Sequence, residues 1–266
     1  MRGAKRHPMT DTTESPQDTF ISHLIELRDR LLRAIIAVVV LTIAMVPWAK
    51  EIYALLAMPL LDVLPQGSTM IATDVTGTFL VPLKVTLMAA FVVALPYVLY
   101  QAWAFVAPGL YQHEKRLAVP VILSSFLFFL IGMAFAYFVV FPVAFGFFVG
   151  YTPVGVQMMT DIDKYLSFVL TMFLAFGLTF ETPVIVVVLV RMGVVSLEKL
   201  RAARAYVIVG AFVIGAIVTP PDVISQLLLA VPLWLLYEVG LVLARFVVVP
   251  KREGDPEGVE GEGTQS

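Results

Sequence analysis

The sequence predicts an all-α fold: a polytopic membrane protein whose six transmembrane helices form a kinked bundle, with both termini in the cytoplasm. Three observations predict it. Of 266 residues, 59% are hydrophobic and the mean hydropathy is +0.91, far more than one soluble core needs. Apolar runs of about 17 to 25 residues, long enough to cross a bilayer as helices, recur six times, and none alternates with period two as a barrel strand would. Fifteen of the eighteen Lys and Arg residues fall on one side of those runs, and the side that collects them is the cytoplasmic one.

The elements follow in order. Residues 1–17 read as a flexible tail, giving way at the Ser-Pro helix start of SPQDTFISHLIELRDRLL. That segment puts Phe20, Leu24, Leu27 and Leu31 on one face, which predicts an amphipathic cytoplasmic helix running into the first span, about residues 30–49. About 30 residues of mixed charge precede this span and no small-x-small cleavage site follows, so it reads as a retained helix rather than a signal peptide. The second span covers about 78–102 and the third about 117–148, where GFFVG at 146–150 is a small-xxx-small match for close helix approach. The fourth covers about 164–190. The fifth, AYVIVGAFVIGAIVT, has 15 residues before PPD stops it, which is about 22 Å of helix against about 30 Å of hydrocarbon. The sixth covers about 223–246. Residues 18–248 form the membrane domain, and 249–266, rich in Gly and Glu, read as a disordered tail.

Prolines 47, 82, 96, 120, 142, 183 and 232 lie in or at the ends of spans, and each interior proline removes a helix hydrogen bond and bends the axis. The charges that orient the bundle are Arg2, Lys5, Arg6, Arg28, Arg30 and Arg33 before the first span, and Lys115 and Arg116 between the second and third. Arg191, Lys199, Arg201 and Arg204 separate the fourth and fifth, and Arg245, Lys251 and Arg252 end the sixth. Lys50, Lys84 and Lys164 are the exceptions.

Catalytic motifs are missing. There is no cysteine, hence no disulfide or thiolate chemistry. No phosphate-binding loop or serine elbow occurs, and HEKRL at 113–117 lacks the second histidine of a zinc protease. Neither an enzyme nor a bound cofactor or metal is expected.

The remaining candidates are polar groups in unusual places. Glu181 lies in AFGLTFETPV, inside the fourth span. An intramembrane carboxylate faces a water-lined cavity, is paired, or is a hydrogen-bonded structural group. Glu114, in the loop FVAPGLYQHEKR, reads on its own as a solvated charge, and Glu26 with Arg28 as a surface helix pair. In TPPDVISQ, Asp222 suits a helix N-cap, and Thr219 and Gln226 are available to backbone groups.

Several stretches, in order over about residues 20–247, resemble TatC, the receptor subunit of the bacterial twin-arginine protein translocase, most nearly in its proteobacterial forms. They are HLIELRDRLL, LPQGSTMIATDV, FVAPGLYQHEKR, GMAFAYFVVFPVAFGFF, DKYLSFV, AFGLTFETPV and VGAFVIGAIVTPPDVISQ. The resemblance implies a concave six-helix receptor in the bacterial cytoplasmic (inner) membrane. It implies recognition of twin-arginine signal peptides on folded substrates, and proton-motive-force-driven export. The implied partners are single-span TatB and TatA proteins, further copies of the chain in a multimeric complex, and membrane lipids; nucleic acid is not among them. Carried over position by position, signal-peptide recognition falls on Glu26, Arg28, Phe105, Pro108, Glu114 and Arg116. Glu181 matches the family's glutamate on the fourth helix, facing the concave side where water or substrate reaches it. Pro59, Asp74 and Phe79, with Asp222, match a structural cap. Thr219 and Gln226 match a patch for a partner's intramembrane carboxylate, where Ala216 stands in place of a methionine found in relatives.

The physics suits this assignment, because a guanidinium pairs with a carboxylate through two parallel hydrogen bonds that an ammonium cannot reproduce. Glu26 and Glu114 are expected to take one arginine each. A secondary transporter or proton channel is the alternative, with Glu181, Glu238 and Lys84 as a relay, although their spacing defines no continuous path. A purely structural scaffold is the third reading.

Overall fold

A computed structural model describes residues 16–61, 70–106, 115–153, 159–219 and 222–247. Expectations placed on the two tails, on Pro108 and Glu114 and on the Pro220-Pro221 turn lie outside them. The described residues are almost wholly helical, with one isolated parallel bridge between Ile71 and Asp161. Among the described residues, five apolar stretches are long enough to cross a membrane: 21–58, 77–106, 118–150, 162–191 and 223–246. A shorter apolar helix, Arg204–Val218, accompanies them. The chain divides into two compact units, residues 1–174 and 175–266.

In the first unit, α1 (Pro16–Met45) starts on its proline, where a missing N–H goes unused anyway. The first span was expected to end near residue 49. Instead a 3₁₀ turn at Val46–Trp48, with Pro47 in it, leads directly into α2 (Ala49–Leu61). Pro47 cannot donate to the preceding turn but is pre-set for the start of the next, and Glu51 in the first turn of α2 complements its N-terminal dipole. The α3 helix (Gly77–Val106) runs through Pro82 and Pro96 without a break. Val81, Val85, Ala90, Ala94 and Leu95 on it are fully or almost fully buried. The α1 and α2 helices both pack along α3.

The α4 helix (Lys115–Phe135) passes into a π-helical turn, Ala136–Val140, and then α5 (Phe141–Gly150), which has Pro142 in its first turn. Trp103 on α3 donates to Ser125 Oγ on α4 at 2.8 Å, and both are buried. The α6 helix (Ile162–Phe180) carries Phe168 and Phe173 against Phe141, with centroids 6.2 and 5.3 Å apart. Gly146 and Gly150 have nothing within 4 Å of where a Cβ would stand. GFFVG is therefore not a close helix crossing.

In the second unit, α7 (Thr182–Arg191) ends in a left-handed Gly193 (φ 69°), with Val194 N–H donating to Leu189 O and Gly193 N–H to Val190 O. This glycine-terminated cap satisfies carbonyls that a helix end leaves bare. Ser196 then caps the short α8 (Leu197–Ala202) by accepting from Lys199 N–H. The α9 helix (Arg204–Val218) keeps the 15 residues expected of it, and α10 (Val223–Val247) contains Pro232. Gly240 brings α10 onto α7: a Cβ there would lie 3.0 Å from Pro183 Cα and 3.0 Å from Val186 Cβ. Tyr237, Leu241 and Ala244 form a core with Val186 around this contact.

Candidate functional site

The N-terminal half of α1 meets the C-terminal end of α3. His23 stacks on Phe105 with ring centroids 4.3 Å apart and planes inclined by 18°. Two turns further along α1, Arg30 donates through Nε (2.8 Å) and Nη2 (2.6 Å) to Glu26 Oε1. Its Nη1 reaches Gln101 Oε1 of α3 at 3.4 Å. Gln101 is buried at 5% exposure. Glu26 was read as the partner of Arg28, but the structure pairs it with Arg30, because residues four apart share a helix face and residues two apart do not. Arg28 turns to Asp29, donating through Nε at 3.0 Å and Nη2 at 2.9 Å. Glu26, Arg28 and Phe105 are thus gathered at one end of the unit. Arg116 lies in the first turn of α4.

The opposite end of α3 is tied to the start of α6. Ile71 N–H donates to Thr160 O (3.0 Å) and Ile162 N–H to Ile71 O (2.9 Å). Asp161 accepts from the hydroxyl of Thr73 and from its amide at 3.1 Å, and caps α6 by accepting from Asp163 N–H (2.8 Å) and Lys164 N–H (3.1 Å). The Thr73 hydroxyl, then these amides, hold the Asp161 carboxyl down at about 2. Asp74 is also held below the usual carboxylate range, first by the Thr76 hydroxyl and then by the Thr76 amide. Lys84 reaches Asp163 at 2.6 Å, and Tyr165 donates to Leu56 O of α2 at 2.8 Å. Pro59 lies near the end of α2. Phe79, expected in a cap, is 73% exposed; a ring that open packs little of the unit beneath it.

Glu181 stands at the break between α6 and α7 and is buried, 5% exposed, whereas the resemblance put it where water reaches. Pro183 causes the break. It lacks the N–H that would bond Thr179 O four residues earlier, and Thr182 Oγ1 donates to that carbonyl instead, at 2.6 Å. Glu181 N–H accordingly bonds Leu178 O, three residues back, at 3.1 Å.

Where α9 meets α10, Thr219 Oγ1 donates to Gly215 O at 2.8 Å and Gln226 Nε2 to Phe212 O at 2.9 Å. A Cβ on Gly215 would stand 3.1 Å from Gln226 Cγ and 3.3 Å from Gln226 O, so a larger residue there would crowd α10. Asp222 Oδ1 accepts from Ser225 N–H at 2.7 Å at the start of α10. Of the residues named for a relay, Lys84 is held by Asp163, and Glu238 by Arg204, whose Nε and Nη2 each meet one of its oxygens at 2.8 Å. Within the first unit, α1, α3 and α6 enclose an apolar groove of about 530 Å³, lined by Leu31, Val38, Leu87, Phe91, Leu170 and Leu174 among others. Among the described residues no cluster of His, Cys, Asp or Glu suits a metal ion.

Comparison with known proteins decides the family. The profile described as "Sec-independent protein translocase protein (TatC)" matches residues 22–232. The chain belongs to the TatC family. It is 56% identical to Sec-independent protein translocase protein TatC of Escherichia coli (strain K12) over 236 residues, which is 88% of this chain and 92% of that one. The Haemophilus influenzae protein of the same description is 49% identical over 238 residues, 90% and 92% of the two chains. A solved structure described as the crystal structure of twin arginine translocase receptor TatC superposes with a TM-score of 0.75 at 41% identity, covering 85% of this chain and 99% of that one.

TatC motifs directed attention to Glu26 and Arg28, and passed over Arg30, Gln101 and His23. The i, i+4 spacing of Glu26 and Arg30, acid first, was the available signal. Asp161 was missed because its partner Thr73 is 88 residues away, a separation that leaves no local pattern.

Proposed function

We propose that this chain is the receptor component of a twin-arginine translocation system in the bacterial inner membrane, with both termini in the cytoplasm. It binds the signal peptides of folded proteins at the end of the first unit where α1 meets α3, and works by binding rather than catalysis. The observation that carries this reading is the Glu26 carboxylate, with its side chain 43% exposed in a setting of basic residues. Arg30 occupies its Oε1, and a planar guanidinium, whose donor directions are fixed, suits the remaining oxygen. Arg28, Phe105, Pro108 and Arg116 complete the surface, and Glu114 takes the second arginine. Thr219 and Gln226 contact the intramembrane helix of a TatB- or TatA-like partner, where hydrogen bonds meet little competition from water. Pro59 and Asp74 belong to a structural cap at the end of the first unit opposite the signal site, Asp222 caps the start of α10, and Glu181 is a polar group of the membrane interior. Further copies of the chain join it in a multimeric complex energised by the proton motive force.

The test is export of a folded reporter carrying an Arg-Arg signal, in cells whose own receptor gene is deleted. The chain should restore export, and Glu26→Gln or Glu114→Gln should abolish it while leaving protein levels unchanged. Restoration by both variants would overturn the assignment of these carboxylates.

A further inference from the structure

The Glu26 carboxylate is not free to rotate. Both bonds from Arg30 converge on Oε1, at 2.8 and 2.6 Å, and among the described residues no bond reaches Oε2. Arg30 is the less exposed partner, 23% against 43% for Glu26. Its third donor is directed at the buried Gln101 on α3. The contacts thus form a chain from the α3 core outward: buried amide, half-buried guanidinium, exposed carboxylate. An isolated exposed i, i+4 pair would be worth little and would sample many rotamers. An anchored guanidinium, planar and with fixed donor directions, holds the carboxylate plane.

We infer that Arg30 is a positioning residue for signal recognition: by fixing Oε1 of Glu26 from the protein side, it leaves Oε2 open toward solvent for an incoming guanidinium. This inference rests on the receptor reading above and adds a residue to it. Holding a carboxylate in one orientation favours a ligand whose donors are themselves fixed in a plane. A rotating ammonium gains nothing from that orientation. Arg30 therefore sets the preference for Arg-Arg over Lys-Lys more than it sets overall affinity.

The experiment is equilibrium binding of Arg-Arg and Lys-Lys signal peptides to the full-length chain in lipid nanodiscs, for wild type, Arg30→Gln, Arg30→Lys and Gln101→Leu. Thermal midpoints are measured on the same samples. Arg30→Gln should weaken Arg-Arg binding about tenfold, the scale of one lost charge-assisted restraint, with Lys-Lys binding unchanged within about twofold. Arg30→Lys should restore the thermal midpoint but not the selectivity. Gln101→Leu, which keeps the charge and removes its anchor, should lose part of the selectivity. Equal weakening of both peptides would make Arg30 merely structural and overturn the inference, as would tighter Arg-Arg binding by Arg30→Gln, the mark of an internal competitor. If the wild type itself shows no preference, the receptor reading fails and the inference falls with it.

Discussion

Replacing Gly240 with alanine separates two opposing effects whose sizes can be worked out. In a helix interior, Gly→Ala ordinarily stabilises by about 0.5–1 kcal/mol through backbone entropy. At Gly240 the new methyl would lie 3.0 Å from Pro183 Cα, 3.0 Å from Val186 Cβ and 3.3 Å from Val186 Cγ1. Neither neighbour yields easily, because one is backbone at a proline-initiated helix start and the other is a β-branched side chain with restricted χ1. Overpacking of this kind costs about 1–3 kcal/mol; against the gain of about 0.5–1 the net loss is up to about 2.5 kcal/mol and about 1 at mid-range, as α10 is pushed away from α7. Gly146→Ala is the internal control: nothing lies within 4 Å of its Cβ, so only the favourable entropy acts. Thermal unfolding of both variants in detergent should show Gly240→Ala melting below wild type and Gly146→Ala at or above it. A Gly240→Ala protein as stable as wild type would refute the claim that this glycine is needed for helix approach.

Three further predictions follow from single contacts. Asp161 has a depressed folded-state pKa of about 2, so its contribution is complete above the unfolded value near 3.9. It is lost as pH falls through about 2, and protection of the Thr73 and Asp163 amides, relative to the intrinsic exchange rate at each pH, should hold from pH 7 to pH 4 in wild type but be lost throughout in Asp161→Ala. Thr182→Val removes the hydroxyl that bonds Thr179 O at 2.6 Å and should destabilise by about 1 kcal/mol, whereas Thr182→Ser, which keeps the donor, should cost less than half of that in the same melt. Arg204→Gln and Glu238→Gln each break a two-bond ion pair; a double-mutant cycle should give a coupling of about 1 kcal/mol, since both side chains are partly exposed and screened.

The spans were legible because a bilayer imposes a length, and capping chemistry marks the ends. The expected 205–219 became Arg204–Val218 and 164–190 became α6 and α7, bounded by Ile162 and Arg191. The first span was expected to end near residue 49, yet the turn containing Pro47 leads straight into α2, because a proline that stops one helix can start the next. GFFVG and the unnoticed GLVLA at 240–244 have the same small-xxx-small spacing, and only the second carries a close contact. The motif states what backbones can do, and the facing surface states what they do. At the candidate site, family motifs drew attention to Glu26, Arg28 and Phe105, which the structure gathers at one end of the first unit. Arg30 escaped notice because its contacts, with Glu26 and Gln101, lie within the protein.

The central claim is that this chain reads the two arginines of a signal peptide as guanidinium groups. Equilibrium binding of an Arg-Arg signal peptide and its Lys-Lys counterpart to the purified wild-type chain, with Glu114→Gln alongside, tests it most directly. The account predicts that the Arg-Arg peptide binds at least about tenfold more tightly, and that Glu114→Gln, which leaves only Glu26 to take an arginine, reduces this preference. Equal binding of the two peptides by the wild-type chain would contradict it.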